Sequence, residues 1–162
     1  MTSNNISTRK LVALALIAAA MVIGQVVIAV LPNIEVVSLI VILTTLRFRR
    51  AALFPIYVFV LLEGLIWGFS IWWVSYLYVW TVLWAVVMLF KNEDSPFLFA
   101  LIAALFGLMF GALTTIPYLF GGIGMAITVF VSGVSFDLVH CVANFVVVLV
   151  LFKPLWAVFR RI

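Results

Sequence analysis

The sequence predicts an all-α integral membrane protein, a six-transmembrane-helix bundle forming a single domain over residues 1–162, with both termini in the cytoplasm. Three observations lead there. Of the 162 residues, 69% are hydrophobic and 9% charged, with a mean hydropathy of +1.43, which a soluble core of this size neither needs nor tolerates. Most of the chain divides into apolar runs near the ~20 residues that a spanning helix requires. All nine Lys and Arg residues fall on one side of a six-crossing path, the side that the positive-inside rule assigns to the cytoplasm.

Residues 1–10 form a polar tail ending in Arg9 and Lys10. The first helix, Leu11 to Leu31, is longer than a secretory apolar core and is followed by further apolar runs, so it is read as retained. Pro32-Asn33 favours a turn. The second helix, Ile34 to Leu46, covers only about 20 Å at helical rise, so it is tilted, partly extended or buried among its neighbours. Arg47, Arg49 and Arg50 close it. The third helix, Ala51 to Gly68, and the fourth, Ile71 to Phe90, are joined so tightly through Gly68-Phe69-Ser70 that they must form a hairpin. The polar loop Lys91-Asn92-Glu93-Asp94-Ser95-Pro96 leads to a fifth helix, Phe97 to Phe120, ended by Gly121-Gly122-Ile123-Gly124. Met125 to Phe152 exceeds one span, which suggests an irregular lead-in through Ser132 and Gly133 before a helix from about Val134. Lys153, Arg160 and Arg161 complete the charged side, and the bundle occupies residues 11–159.

The formal charge of +4 and pI near 9.6 do not indicate a nucleic-acid surface, because the basic residues stand in twos and threes at the ends of apolar runs. A lone Cys141 excludes disulfide frameworks and cysteine-rich metal sites. HExxH, phosphate-loop and GxSxG motifs are absent from the sequence, so no enzyme, cofactor or metal is expected and no ATPase resides in the chain.

Ionisable groups in hydrocarbon cost roughly 2.5–3.5 kcal/mol at a helix centre and need a partner, a cavity or water. Glu35, Glu63, Asp137 and His140 fall in the outer half of the derived topology. Asp137, His140, Cys141 and Asn144 recur at i, i+3, i+4 and i+7 and share one helical face, which should point into the bundle. That stripe is either a structural hydrogen-bond network or a functional site. Trp73, Tyr76, Trp80 and Trp84 recur every three or four residues, with Trp67 and Tyr118 also outward. They are an interfacial aromatic belt or the wall of a pocket for a flat polar heterocycle, although Trp80 and Trp84 lie too deep for a belt. Ala15 and Ala19 form one small-xxx-small pair and Gly107 and Gly111 another, each permitting close helix approach within or between chains.

Taken with the strings Leu31-Pro32-Asn33-Ile34-Glu35, Leu62-Glu63-Gly64, Ile116-Pro117-Tyr118 and Phe136-Asp137-Leu138-Val139-His140-Cys141, the whole chain resembles the substrate-binding S components of energy-coupling factor (ECF) vitamin transporters. The resemblance rests on architecture more than on a unique motif. It implies a prokaryotic cell-membrane protein that captures a vitamin or precursor from outside. It also implies docking, through the alanine surface of the first helix, on a transmembrane T component carrying two ATPase subunits. On that reading Ala15 and Ala19 are the docking surface. Glu63, Trp67, Trp73, Tyr76, Trp80, Tyr118, Asp137, His140 and Asn144 are the substrate-binding candidates, chosen by depth and facing. The side-chain set favours a thiamin- or pyrimidine-like ligand, with a pyridoxine-like one close behind and a corrinoid ligated by His140 or Cys141 more remote. The absence of Lys and Arg from the outer half counts against anionic substrates. Two other classes stay open: a proton-coupled carrier using Glu63, Asp137 and His140 as a relay, and a structural membrane scaffold.

Overall fold

The computed structural model describes residues 7–29 and 34–162, so the expected turn at Pro32-Asn33 and part of the string Leu31 to Glu35 lie outside the described residues. Among these residues there is no strand. The α-helices are α1 (Thr8–Ile28), α2 (Val37–Phe48), α3 (Leu53–Trp67), α4 (Ile71–Leu89), α5 (Pro96–Thr115) and α6 (Ile123–Phe159). Short 3-10 turns at Arg49–Ala52 and Ile116–Gly121 follow α2 and α5. Five helical stretches are long and apolar enough to cross a membrane, the run Val37–Trp67 counting as one. The outer surface is itself apolar, with Leu16, Val27, Leu65, Leu105, Leu138 and Val142 all exposed, as suits a multi-pass membrane protein.

Local chemistry sets most of the boundaries. Ser7 and Ser95 cap α1 and α5, each side-chain oxygen accepting from the backbone N–H three residues on, and Pro96 opens α5 where a missing N–H does no harm. At Arg49 the backbone turns to φ 56°, the left-handed region, and the chain passes from α2 toward α3. Gly68, at φ 89°, makes the expected tight α3–α4 connection.

Two expected elements differ. The fifth helix was expected to run to Phe120, but its α-helical part stops at Thr115 and a 3-10 turn follows. Pro117 has no N–H to donate to the Leu113 carbonyl, and the Tyr78 hydroxyl donates to it instead at 2.6 Å. The irregular lead-in expected at Ser132 and Gly133 is absent, and α6 is continuous over 37 residues. Its polar side chains are absorbed locally, Thr128 donating to the Gly124 carbonyl and Ser132 to that of Val129.

Contacts between helices fix their directions. Gly111 meets Asp137 while Ala103 meets Asn144, so α5 and α6 are antiparallel. Trp73 reaches Val60 and Tyr57 reaches Leu77, the α3–α4 hairpin. Glu35 meets His140 and Arg47 meets Phe159, so α2 runs parallel to α6. Of the twelve residues of α2, ten are buried, which resolves the short second helix as one enclosed by its neighbours. A helix of about 18 Å is tolerable there because protein, not lipid, surrounds it.

Candidate functional site

The site forms where the start of α2 meets the middles of α5 and α6. Asp137, His140 and Asn144 are 4%, 5% and 1% exposed, so the polar stripe does face inward, while Cys141 is only half-buried. Gly107 and Gly111 explain why α6 can come so close. A β-carbon at Gly107 would stand 2.9 Å from the His140 carbonyl group, and one at Gly111 would fall on the Asp137 carboxylate. The GxxxG pair therefore serves packing within this chain. Asp137 Oδ1 accepts from the Gly111 N–H at 3.0 Å.

His140 Nε2 lies 3.5 Å from Glu35 Oε1, and Glu35 Oε2 accepts from the Ser38 N–H at 2.8 Å, so Glu35 caps α2 while facing the imidazole. Asn144 Nδ2 lies 3.5 Å from both the Ser38 hydroxyl and the Ala103 carbonyl. These are long contacts, at the outer limit of hydrogen bonding. Glu63, on α3, is 2% exposed. Phe59, one turn before Glu63 on the same face of α3, stacks against Tyr76 with ring centroids 6.3 Å apart, which brings the α3 face that carries this carboxylate to α4.

Aromatic rings connect the same groups. Trp72, Tyr76, Trp80, Phe110 and His140 follow one another at centroid separations of 5.1, 5.5, 6.1 and 5.1 Å, with Phe59 against Tyr76 and Trp80. Edge-to-face contacts predominate along this string, the geometry aromatic quadrupoles favour. Among the described residues, buried polar atoms without a hydrogen-bond partner include Glu63 Oε1, Trp80 Nε1, His140 Nδ1 and Asn144 Oδ1 in this assembly, and Thr115 Oγ1 at the end of α5.

Of the residues singled out from sequence, Glu63, Tyr76, Trp80, Asp137, His140 and Asn144 belong to this assembly. The others stand apart. Trp67 is 57% exposed at the end of α3. Trp73 donates its indole N–H to the Val60 carbonyl at 2.8 Å and clips α3 to α4. Tyr118 is half-buried in the 3-10 turn after α5. Trp84, also considered deep, donates to the Arg49 carbonyl near the opposite end.

Sequence reasoning flagged Glu35 as needing a partner but left it out of the site, and Ser38, Phe110 and Thr115 were not considered. A usable signal for Glu35 was its position three residues before Ser38 at the start of an apolar helix, the spacing of a carboxylate cap. Among the described residues, no three His, Cys, Asp or Glu side chains gather as a metal site.

At the other end of the bundle the cationic groups converge. Arg9, Lys10, Arg47 and Arg161 line one cleft, and Lys10, Arg49, Arg50 and Lys91 line its neighbour. The Arg47 Nε donates to the Phe159 carbonyl at 3.1 Å, and Arg49 donates to that of Lys91.

The exposed face of α1 includes Ala15 and Ala19. No family model, curated protein or solved structure matches the chain.

Proposed function

We propose that this protein crosses the membrane of a prokaryotic cell six times, with both termini in the cytoplasm. On this reading it is the substrate-binding S component of an ECF-type importer for a vitamin or vitamin precursor. The observation that carries the reading is the set of four buried polar atoms of the assembly, on Glu63, Trp80, His140 and Asn144, that have no partner among the described residues. Each such buried atom costs about 1–3 kcal/mol when left unsatisfied, and a ligand with complementary donors and acceptors removes that cost. A flat heterocycle could stack against Tyr76 and Trp80 and exchange hydrogen bonds with Glu63, His140 and Asn144. The absence of Lys and Arg from this end favours a neutral or cationic ligand, thiamin- or pyrimidine-like before pyridoxine-like. The exposed Ala15 and Ala19 suit close docking of a T component, whose two ATPase subunits would supply the energy this chain lacks.

Native mass spectrometry of protein gently purified from its own membranes tests the reading. Retention of one heterocycle, or a thermal shift with one vitamin of a panel, is the expected result. No retained ligand and no shift with any panel member would overturn it.

A second reading is favoured by the contact of Glu35 with His140, with Asp137 one turn away: a carrier in which these groups relay protons. Uptake that follows the proton gradient and needs no ATPase partner would establish that alternative.

A further inference from the structure

The basic end of the bundle is more than a marker of orientation. Its two clefts, about 390 and 440 Å³, share Lys10 and Phe48, and neither is lined by an Asp or Glu. Among the described residues no Lys or Arg makes an ion pair with a carboxylate, so no acidic side chain, Glu93 and Asp94 of the nearby α4–α5 loop included, holds these cations directly. The first cleft meets an apolar groove of about 260 Å³ at Ile162. That groove is walled by Ala13, Leu16, Ile17 and Ala20 of α1 and by Leu155 and Phe159 of α6. Ala13 lies three residues from Lys10, about 4.5 Å at helical rise, so charge and groove are continuous along α1. The Arg47–Phe159 hydrogen bond ties the cationic wall to the apolar one.

We propose that this end of the bundle binds an anionic phospholipid, with the phosphate among Arg9, Lys10, Arg47 and Arg161 and one acyl chain in the groove between α1 and α6. A phosphate oxygen cluster supplies the negative charge that the lining of the clefts lacks, and guanidinium forks suit it. Continuity with the groove distinguishes a lipid from a free phosphate, which would use the charge alone. Basic pockets between helices at a membrane surface are general sites for acidic headgroups. The groove and the exposed Ala15–Ala19 pair occupy different faces of α1, so lipid and a docking helix need not compete.

The test uses the full chain in bilayer discs of phosphatidylcholine with and without phosphatidylglycerol, followed by native mass spectrometry of retained lipid. Phosphatidylglycerol should be retained over phosphatidylcholine. Lys10→Gln and Arg161→Gln, each on an end residue outside the core, should each weaken that preference about fivefold. Ala20→Phe, which obstructs the groove with every charge in place, should reduce retention as well, and each variant's melting temperature reports that it is folded. Equal retention of the two lipids, or a preference that survives the Lys10→Gln/Arg161→Gln double variant, would overturn the proposal. So would displacement of the lipid by free glycerol phosphate, which would make the ligand a soluble phosphate. The proposal needs only a bilayer around the helices, so failure to find a vitamin at the opposite end would leave this result intact.

Discussion

At Gly107 a single hydrogen separates α5 from the His140 carbonyl group, and that spacing holds the imidazole where it is. Gly107→Ala places a carbon 2.9 Å from that backbone, and neither helix can yield by rotating a side chain. The expected cost is about 1–3 kcal/mol, read as a lowered melting temperature. Gly133→Ala is the matched control, since nothing lies within 4 Å of its β-carbon position, and the gain in helix propensity should leave stability unchanged or raise it. If both variants lost stability equally, close packing at Gly107 would not be the cause. Glu63→Gln tests the chemistry rather than the packing. It keeps the side chain's shape and exchanges one carboxyl oxygen for an amide group, so ligand affinity should fall at least tenfold, about 1.4 kcal/mol, with the fold retained. The inward facing of Asp137, His140 and Asn144 was legible because helical periodicity is a local property of the chain. The pairing of Glu35 with His140 was not, since 105 residues separate them and no local pattern encodes the parallel course of α2 and α6. Trp67 shows the limit of residue type as a guide: an indole at a helix end serves a membrane interface as well as a pocket, and only its exposure separates the two.

Among the elements, α1 carries the surface that the proposed function assigns to a T component. Ala15→Leu with Ala19→Leu adds bulk at two exposed positions, so folding and ligand binding should persist. Co-purification with a T component should be lost, because two backbones can no longer approach closely. Retained co-purification would place the docking surface elsewhere. The end of α5 offers a different measurement. Tyr78→Phe removes the hydroxyl that joins the Ile116 N–H in serving the Leu113 carbonyl, and about 1 kcal/mol of stability should go with it. The apolar runs revealed where most helices lie, since hydropathy and turn residues are read directly. They did not reveal that α2 is almost wholly enclosed, because its shortness fits tilt or partial extension as well as burial among its neighbours. The uninterrupted α6 was missed for a related reason. Ser132 and Gly133 weaken a helix in water, whereas a hydroxyl bonded to its own helix satisfies both itself and an apolar solvent.

For the whole molecule, the geometry and the charge distribution make one joint statement about orientation. The starts of α1 and α3 and the ends of α2, α4 and α6 meet in or beside the basic clefts. The carboxylates Glu35, Glu63 and Asp137 gather toward the other end. On the proposed topology a bilayer across this bundle puts the cations in one headgroup layer, which the positive-inside rule would make cytoplasmic. The alternative worth excluding is a chain in which Val37–Trp67 crosses once, giving five spans and termini on opposite sides. Single cysteines in a Cys141→Ser background separate the two, because Thr8, Ser70 and Asn92 are all exposed and none makes a cap bond. With six crossings, Ser70→Cys should react with a membrane-impermeant thiol reagent in intact cells. Thr8→Cys and Asn92→Cys should react only after permeabilisation. With five, Thr8→Cys and Asn92→Cys would lie on opposite faces, and one of them would label from outside. Labelling of both from outside, with Ser70→Cys protected, would invert the molecule and turn the Glu63–His140 site toward the cytoplasm, where it could not capture a substrate from the medium.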